Sequence, residues 1–148
     1  MSDLNQLFQE ILEARGFPLK IKEEEDAFIY KGRVLIFEEH QVDFALSISK
    51  GDSECIAQIV FNQLAYLPER AERSLWLDGL NLLNLQHGLY YYFALDDDNR
   101  VFARYVTRVS QDLENLFFIL SKGGYIVERS LTFLTNHIIS QKEKVNHE

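Results

Sequence analysis

The chain contains a single cysteine, Cys55, in 148 residues. One thiol cannot form an internal disulfide, so the fold must hold without one, and this cysteine usage fits a reducing, cytoplasmic setting. No run approaches the roughly 18 consecutive apolar residues of a membrane span. The N-terminus, MSDLNQLFQEILEARG, has neither a basic leader nor an unbroken apolar core, and does not read as a signal peptide. None of the histidines, His40, His87, His137 and His147, stands three or four residues from another, and there is no Cys-x-x-Cys, so zinc has no motif. Basic residues are outnumbered, 15 against 23 acidic, for a net charge of −8. A domain of that sign repels phosphate backbones and anionic lipid, which makes nucleic acid and membranes poor partners. Repeats, low-complexity tracts and dividing linkers are also missing. A chain this long buries about two-thirds of its unfolded surface without a staple, so residues 1–148 are expected to form one domain.

The hydrophobic pattern divides the chain clearly. Leu4, Leu7, Phe8, Ile11 and Leu12 repeat at helical spacing, with Asp3 and Gln6 as a capping pair and Gly16 and Pro18 as stops. Lys20 to Asp26 (KIKEEED) reads as a charged, solvated connector. Ala27–Tyr30 and Arg33–Phe37 read as two strands turned at Lys31-Gly32. Val42, Phe44, Leu46 and Ile48 alternate with polar or small residues, which predicts a strand with one buried face. Lys50 to Ser53 forms a turn, and Cys55–Leu67 a further strand, irregular after Asn62. Leu89–Leu95 and Val101–Val109 make a second hairpin around Asp96–Arg100, where Asn99 best tolerates a left-handed conformation. After the start signals Ser110 and Asp112, a seam of Leu113, Phe117, Leu120, Gly124, Val127, Leu131, Leu134 and Ile138 stays in phase across Gly123-Gly124. That favours one long helix, continuous or kinked, over two, with a neighbouring backbone packed close to the glycines and with Gln141–Glu148 fraying. The expected class is α+β in the order α-β-β-β(-β)-α-β-β-α, an antiparallel sheet with its helices on one face.

The stretch from Pro68 to Gly88, PERAERSLWLDGLNLLNLQHG, reads as a helix opened by Pro68, with more apolar surface than one buried side requires. Ala71, Leu75, Leu82 and Leu85 form one stripe; Trp76, Leu80 and Leu83 form another about 120° away. The expectation is that one stripe lies on the sheet. The other meets a symmetry mate or the long C-terminal helix, and Trp76, Leu80 and Leu83 are the candidates for a homodimer interface.

The remaining constellations read as structure. Cys55 has no histidine or aspartate at a dyad spacing and behaves as a small apolar residue. Asp96, Asp97 and Asp98 lack the glycine of a calcium loop, and the twelfth position counted from Asp96 is Thr107, so they read as a hairpin turn. Ser121-Lys122-Gly123-Gly124 lacks the spacing and preceding strand of a phosphate loop. Tyr90, Tyr91, Tyr92 and Phe93 alternate between faces, so at most two share one, and Arg104 and Arg108 share a face within an acidic domain. No catalytic, cofactor-binding or metal residue is assigned.

The segment Leu80–Arg108 resembles the YbjN family, described as bacterial sensory-transduction regulators. Asn81 and Asn84 match its Leu-Asn-x-Leu-Asn helix end, and Asp97, Asp98 and Asn99 its acidic hairpin turn. The element order is similar to class I type III secretion chaperones of the CesT and SycE kind. Those are small, acidic, cytosolic homodimers that bind extended effector segments without ATP. The resemblance implies a non-enzymatic, homodimeric protein-binding module, a regulator or chaperone-like adaptor with no cofactor and an unidentified protein partner. A class I secretion chaperone bound to an effector segment is a narrower alternative. A small-ligand binder or enzyme with a pocket between sheet and helices is the alternative from another class.

Overall fold

The computed structural model describes residues 3–51 and 54–146. The elements are α1 (Leu4–Ala14), β1 (Lys20–Glu23), β2 (Ala27–Ile36), β3 (His40–Ser49), β4 (Cys55–Tyr66), a 3-10 turn at Arg70–Glu72, α2 (Arg73–Gln86), β5 (Tyr92–Leu95), β6 (Arg100–Val109) and α3 (Leu113–Asn146). The strands form one antiparallel sheet in the order β1-β2-β3-β4-β6-β5. The expected α+β class and element order are both present.

Alternation decides which face is covered. Tyr30, Phe44, Leu46, Ile48, Ala57, Ile59, Phe61, Ala103 and Phe93 point to the same side and are buried. Removing that apolar area from water is the main driving term, at about 25 cal/mol per Å². All three helices contribute to this core: Phe8 from α1, Leu83 from α2, and Ile119 and Leu134 from α3. At about 1.5 Å per residue, α3 is roughly 50 Å long.

Local signals place the helix ends. The Asp3 carboxylate accepts from the Asn5 N–H at 2.9 Å, and Gly16 takes φ +62° to end α1. The Asp112 carboxylate accepts from the Asn115 N–H at the start of α3. A polar contact then fixes α1 on the sheet. The buried Tyr30 hydroxyl donates to the Asn5 side-chain oxygen at 2.7 Å, and the Asn5 amide donates to the Ser49 carbonyl at 3.3 Å. Burial raises the Tyr30 pKa to about 12 and raises that of Tyr91 as well. Between pH 10 and 12 the unfolded phenol loses its proton while the folded one keeps it, so unfolding releases protons and stability falls as pH rises. Denaturant melts across that window should show a decline of about 1.4 kcal/mol per pH unit from each such tyrosine. Tyr30→Phe should flatten the decline.

Several expectations need correction. Lys31-Gly32 is not a turn but the middle of a ten-residue β2. The turn lies at residues 37–39, where Phe37 and Glu38 take positive φ. Gly32 is there for packing: a Cβ would stand 2.6 Å from the Phe44 ring and 2.7 Å from Leu19. The charged connector contains β1, whose four residues pair with Phe28–Lys31 and are all exposed. Charged residues are a common composition for an edge strand. The irregularity after Asn62 is a bulge between Phe61 and Ala65, with Gln63 at φ 53°. Pro68 precedes the 3-10 turn rather than opening α2. Of the expected turn at Lys50–Ser53, Asp52 and Ser53 lie outside the described residues.

The long helix is continuous through Gly123-Gly124, as its unbroken seam implies. The close neighbours are side chains, not backbone: the Phe61 ring and Tyr91 hydroxyl against Gly123, and Val34 against Gly124. Helix continues through Asn146, and Lys142 pairs with Glu72, which ties the expected fraying segment to the start of α2.

The two stripes of α2 exchange roles. Leu80 and Leu83 are 3% and 0% exposed inside the single chain, and Trp76 packs half-buried beside them. Gly79 lets α3 approach, with Leu134 and His137 over its missing side chain. Leu80 and Leu83 therefore have no surface left for a two-fold mate. Ala71 is exposed and Leu75 and Leu82 half-buried, while Leu85 is 74% exposed. The surplus apolar surface exists, but on the opposite flank. Both stripes are similarly apolar, and only the approach of α3 selects between them.

Candidate protein-binding surface

The two edges of the sheet are finished differently. At the β5 edge the Asn84 side chain acts as a short piece of strand. Its amide NH₂ donates to the Phe93 carbonyl at 2.9 Å, and its oxygen accepts from the Phe93 N–H at 2.8 Å. Beyond β5, the rings of Tyr90 and Tyr91 stand against Tyr105 of β6. Asn84, which marked the helix end in the sequence, thus occupies that edge at Phe93. Asn84→Leu should leave two backbone groups without partners and cost about 2–4 kcal/mol, measurable as a lower urea midpoint.

The other edge is half open. β1 covers only Phe28–Lys31, and among the described residues no strand pairs with Gly32–Ile36 on the side away from β3. Beside this stretch lies a shallow groove of about 320 Å³ between β2 and α3, lined by Phe17, Leu19, Val34, Phe61, Leu120 and Gly124 among others. Arg33 and Ser121 are its polar lining residues.

The sheet face without helices has its own character. Register places one cross-strand row as Lys20, Lys31, Ala45, Val60, Arg104 and Tyr92, and the next as Lys22, Ile29, Ser47, Gln58 and Val106. Arg33 with Asp43, and Ile56 with Arg108, lie on the same face. With Arg100 of β6, seven of the fifteen basic residues stand on the strands of this face beside one acidic strand residue, Asp43, while Glu24, Glu54 and Asp98 reach it from the flanking loops. Arg33 pairs with Asp43 at 2.7 Å, Lys22 with Glu24, and Arg108 with Glu54. Arg104 makes its hydrogen bonds to the Gln58 amide at 2.6 and 3.0 Å. Sequence reasoning found Arg104 and Arg108 but missed Lys20, Lys31 and Arg33, because these come from different strands and only register brings them together.

The other sequence candidates lie apart. Cys55 points into the core, with its thiol 3.7 Å from the Gly51 carbonyl. His87 and His137 both lie against the Phe133 ring. His40 begins β3, and His147 lies outside the described residues. The Asp96 carboxylate accepts from the backbone of Asp98 and Arg100, and Asn99 takes φ 62°, so this loop is a self-bonded turn. Tyr91 and Phe93 point inward and Tyr92 outward. Among the described residues no three His, Cys, Asp or Glu side chains form a metal-binding group, and no helix is long and apolar enough to cross a membrane. No protein-family model matches the chain, and no curated protein matches it.

Proposed function

We propose that this chain is a non-enzymatic protein-binding module, a YbjN-like regulator or chaperone-like adaptor, that takes an extended segment of a partner protein along the open half of β2. The carrying observation is the contrast between edges: Asn84 occupies the β5 edge, while among the described residues Gly32–Ile36 has no strand on the side away from β3 and borders an apolar groove. An added strand would satisfy the unpaired backbone groups of β2. Its alternate side chains would drop toward Val34 and Leu120, and affinity and specificity would come from those two sources. A class I secretion chaperone holding an effector segment is the narrower form of this reading. In a homodimer, the second copy would use the exposed flank of α2 at Leu77 and Leu85. A cytoplasmic location accords with the single cysteine.

A photo-crosslinking residue at Ser121, beside the groove, tests the reading in the source cell. Discrete protein adducts should form there and not from a crosslinker at the exposed Asp97. The groove-filling variant Ser121→Trp should compete poorly against wild type for the same partner. Equal labelling from both positions would defeat the proposal. The groove also supports a second reading, a small apolar ligand, since its volume reaches the lower range of ligand pockets. An apolar compound retained in native mass spectra, and displaced by Ser121→Trp, would favour that reading.

A further inference from the structure

We infer that the uncovered sheet face is a second docking surface, and that it takes an amphipathic helix of a partner protein carrying acidic residues along both flanks. This goes beyond the β2-edge reading and rests on a separate surface. The first support is charge: in a chain of net −8 the strands of this face carry seven basic residues and one acidic residue, and the carboxylates that reach it pair with Lys22, Arg33, Arg100 and Arg108, which leaves Lys20, Lys31 and Arg104 without a carboxylate partner among the described residues. The second is a local cost. Lys20 and Lys31 are direct cross-strand partners on that face, and among the described residues neither has a carboxylate partner. Like charges directly opposite each other destabilise a sheet, and among the described residues no carboxylate stands within ion-pair distance of either lysine to offset this pair. Rules broken without structural gain concentrate at functional sites.

Geometry selects the occupant. Between Lys31 on β2 and Arg104 on β6 lie Ala45 and Val60 in the same row, flanked by Ser47 and Ser49 on β3. This makes a low floor with a cation on either side. Lys31 and Arg104 are three strands apart, about 14 Å. An α-helix is about 10–12 Å across with its side chains, so a helix laid along β3 and β4 brings one flank to Lys31 and the other to Arg104. The interior strands already use their N–H and C=O groups in the ladder. An occupant of the face must therefore satisfy its own backbone, which a helix does and an extended chain does not. A nucleic acid would meet the same cations, but the chain carries twenty-three acidic residues for a net charge of −8 and repels a polyanion.

The test uses the full chain and a designed probe. A labelled helical peptide of roughly 20 residues, long enough to follow β3 and β4, carries alanine and leucine on one face and glutamate on both flanks. Fluorescence anisotropy should show binding that weakens with added salt. It should also weaken about tenfold or more, 1.4 kcal/mol per decade, in Lys31→Glu/Arg104→Glu. A lysine-flanked peptide of the same apolar face should not bind. Lys31→Glu removes the like-charge pair, so it should melt no lower than wild type, which separates lost binding from lost folding; Arg104→Gln is the milder second variant. Ser121→Trp, which fills the β2 groove, should leave the peptide affinity unchanged, so the two surfaces fail independently. The inference is overturned if the glutamate-flanked peptide does not bind, if charge reversal leaves its affinity unchanged, or if a single-stranded oligonucleotide binds the same face more tightly.

Discussion

Gly123→Ala is expected to destabilise the protein by about 2 kcal/mol, and Gly123→Val to prevent folding at ordinary temperature. A Cβ at this position runs into the Phe61 ring, 2.6 Å from its Cε2 and closer still to Cζ, and stands 2.9 Å from the Tyr91 hydroxyl. Neither neighbour can yield. Phe61 is wholly buried, with its ring edge-on to Tyr91 at 5.5 Å and tilted against Phe44 at 5.2 Å. The Tyr91 hydroxyl donates to the Ile119 carbonyl at 2.8 Å, so displacing it breaks a buried hydrogen bond. Overpacking costs about 1–3 kcal/mol or more, and loss of that bond adds to it. Helix propensity returns about 1 kcal/mol on replacing glycine by alanine, which leaves the net sign unfavourable. Thermal melts should show a fall of roughly 4–8 °C for alanine. Gly124→Ala should cost less, because the atoms nearest its Cβ all belong to the half-buried Val34, beside an open groove. An alanine variant at 123 that is as stable as wild type would show that α3 does not press on the sheet there.

Leu83→Ala is expected to cost about 3–5 kcal/mol, whereas Leu85→Ala changes stability by less than about 0.5 kcal/mol. The two leucines are two residues apart on one helix and chemically identical. Leu83 is fully enclosed by the core, and its truncation leaves a cavity that the surrounding helices and sheet cannot close. Leu85 projects outward at 74% exposure. Urea titrations of both variants, followed by far-UV circular dichroism, read the difference directly. Equal costs would mean that Leu85 is covered in solution by something outside the chain, such as a second copy. Sedimentation of Leu85→Asp at tens of micromolar would then detect it.

The candidate surfaces were legible only in part. Asn84 stood out within its Leu-Asn-Leu-Leu-Asn run, but its role as a substitute strand depends on where β5 lies, a non-local fact. The outward arginines of β6 follow from alternation within one strand. Lys20 and Lys31 face each other because residues 20–23 pair with 28–31, and a charged tetrapeptide carries no signal of that pairing. The open half-edge of β2 has the same origin: its ten-residue length and the four-residue length of β1 are each decided by what packs beside them.

What the residues determined unaided were the properties carried by short-range periodicity and sterics. These were the α+β class, the order of elements, the cap at Asp3, the left-handed Asn99, the irregularity of β4 after Asn62 and a single seam along α3 through Gly123-Gly124. Each depends on contacts within a few residues or on a repeat that only one secondary structure satisfies. Tertiary structure alone decided which stripe of α2 enters the core, why Gly32 and Gly123 have no side chain, which edge is occupied, and that the cations gather on one face. Each of these needs the position of a segment tens of residues away. An amphipathic stripe or a glycine records that something packs against it, but the identity of the neighbour is set by the chain's path through space.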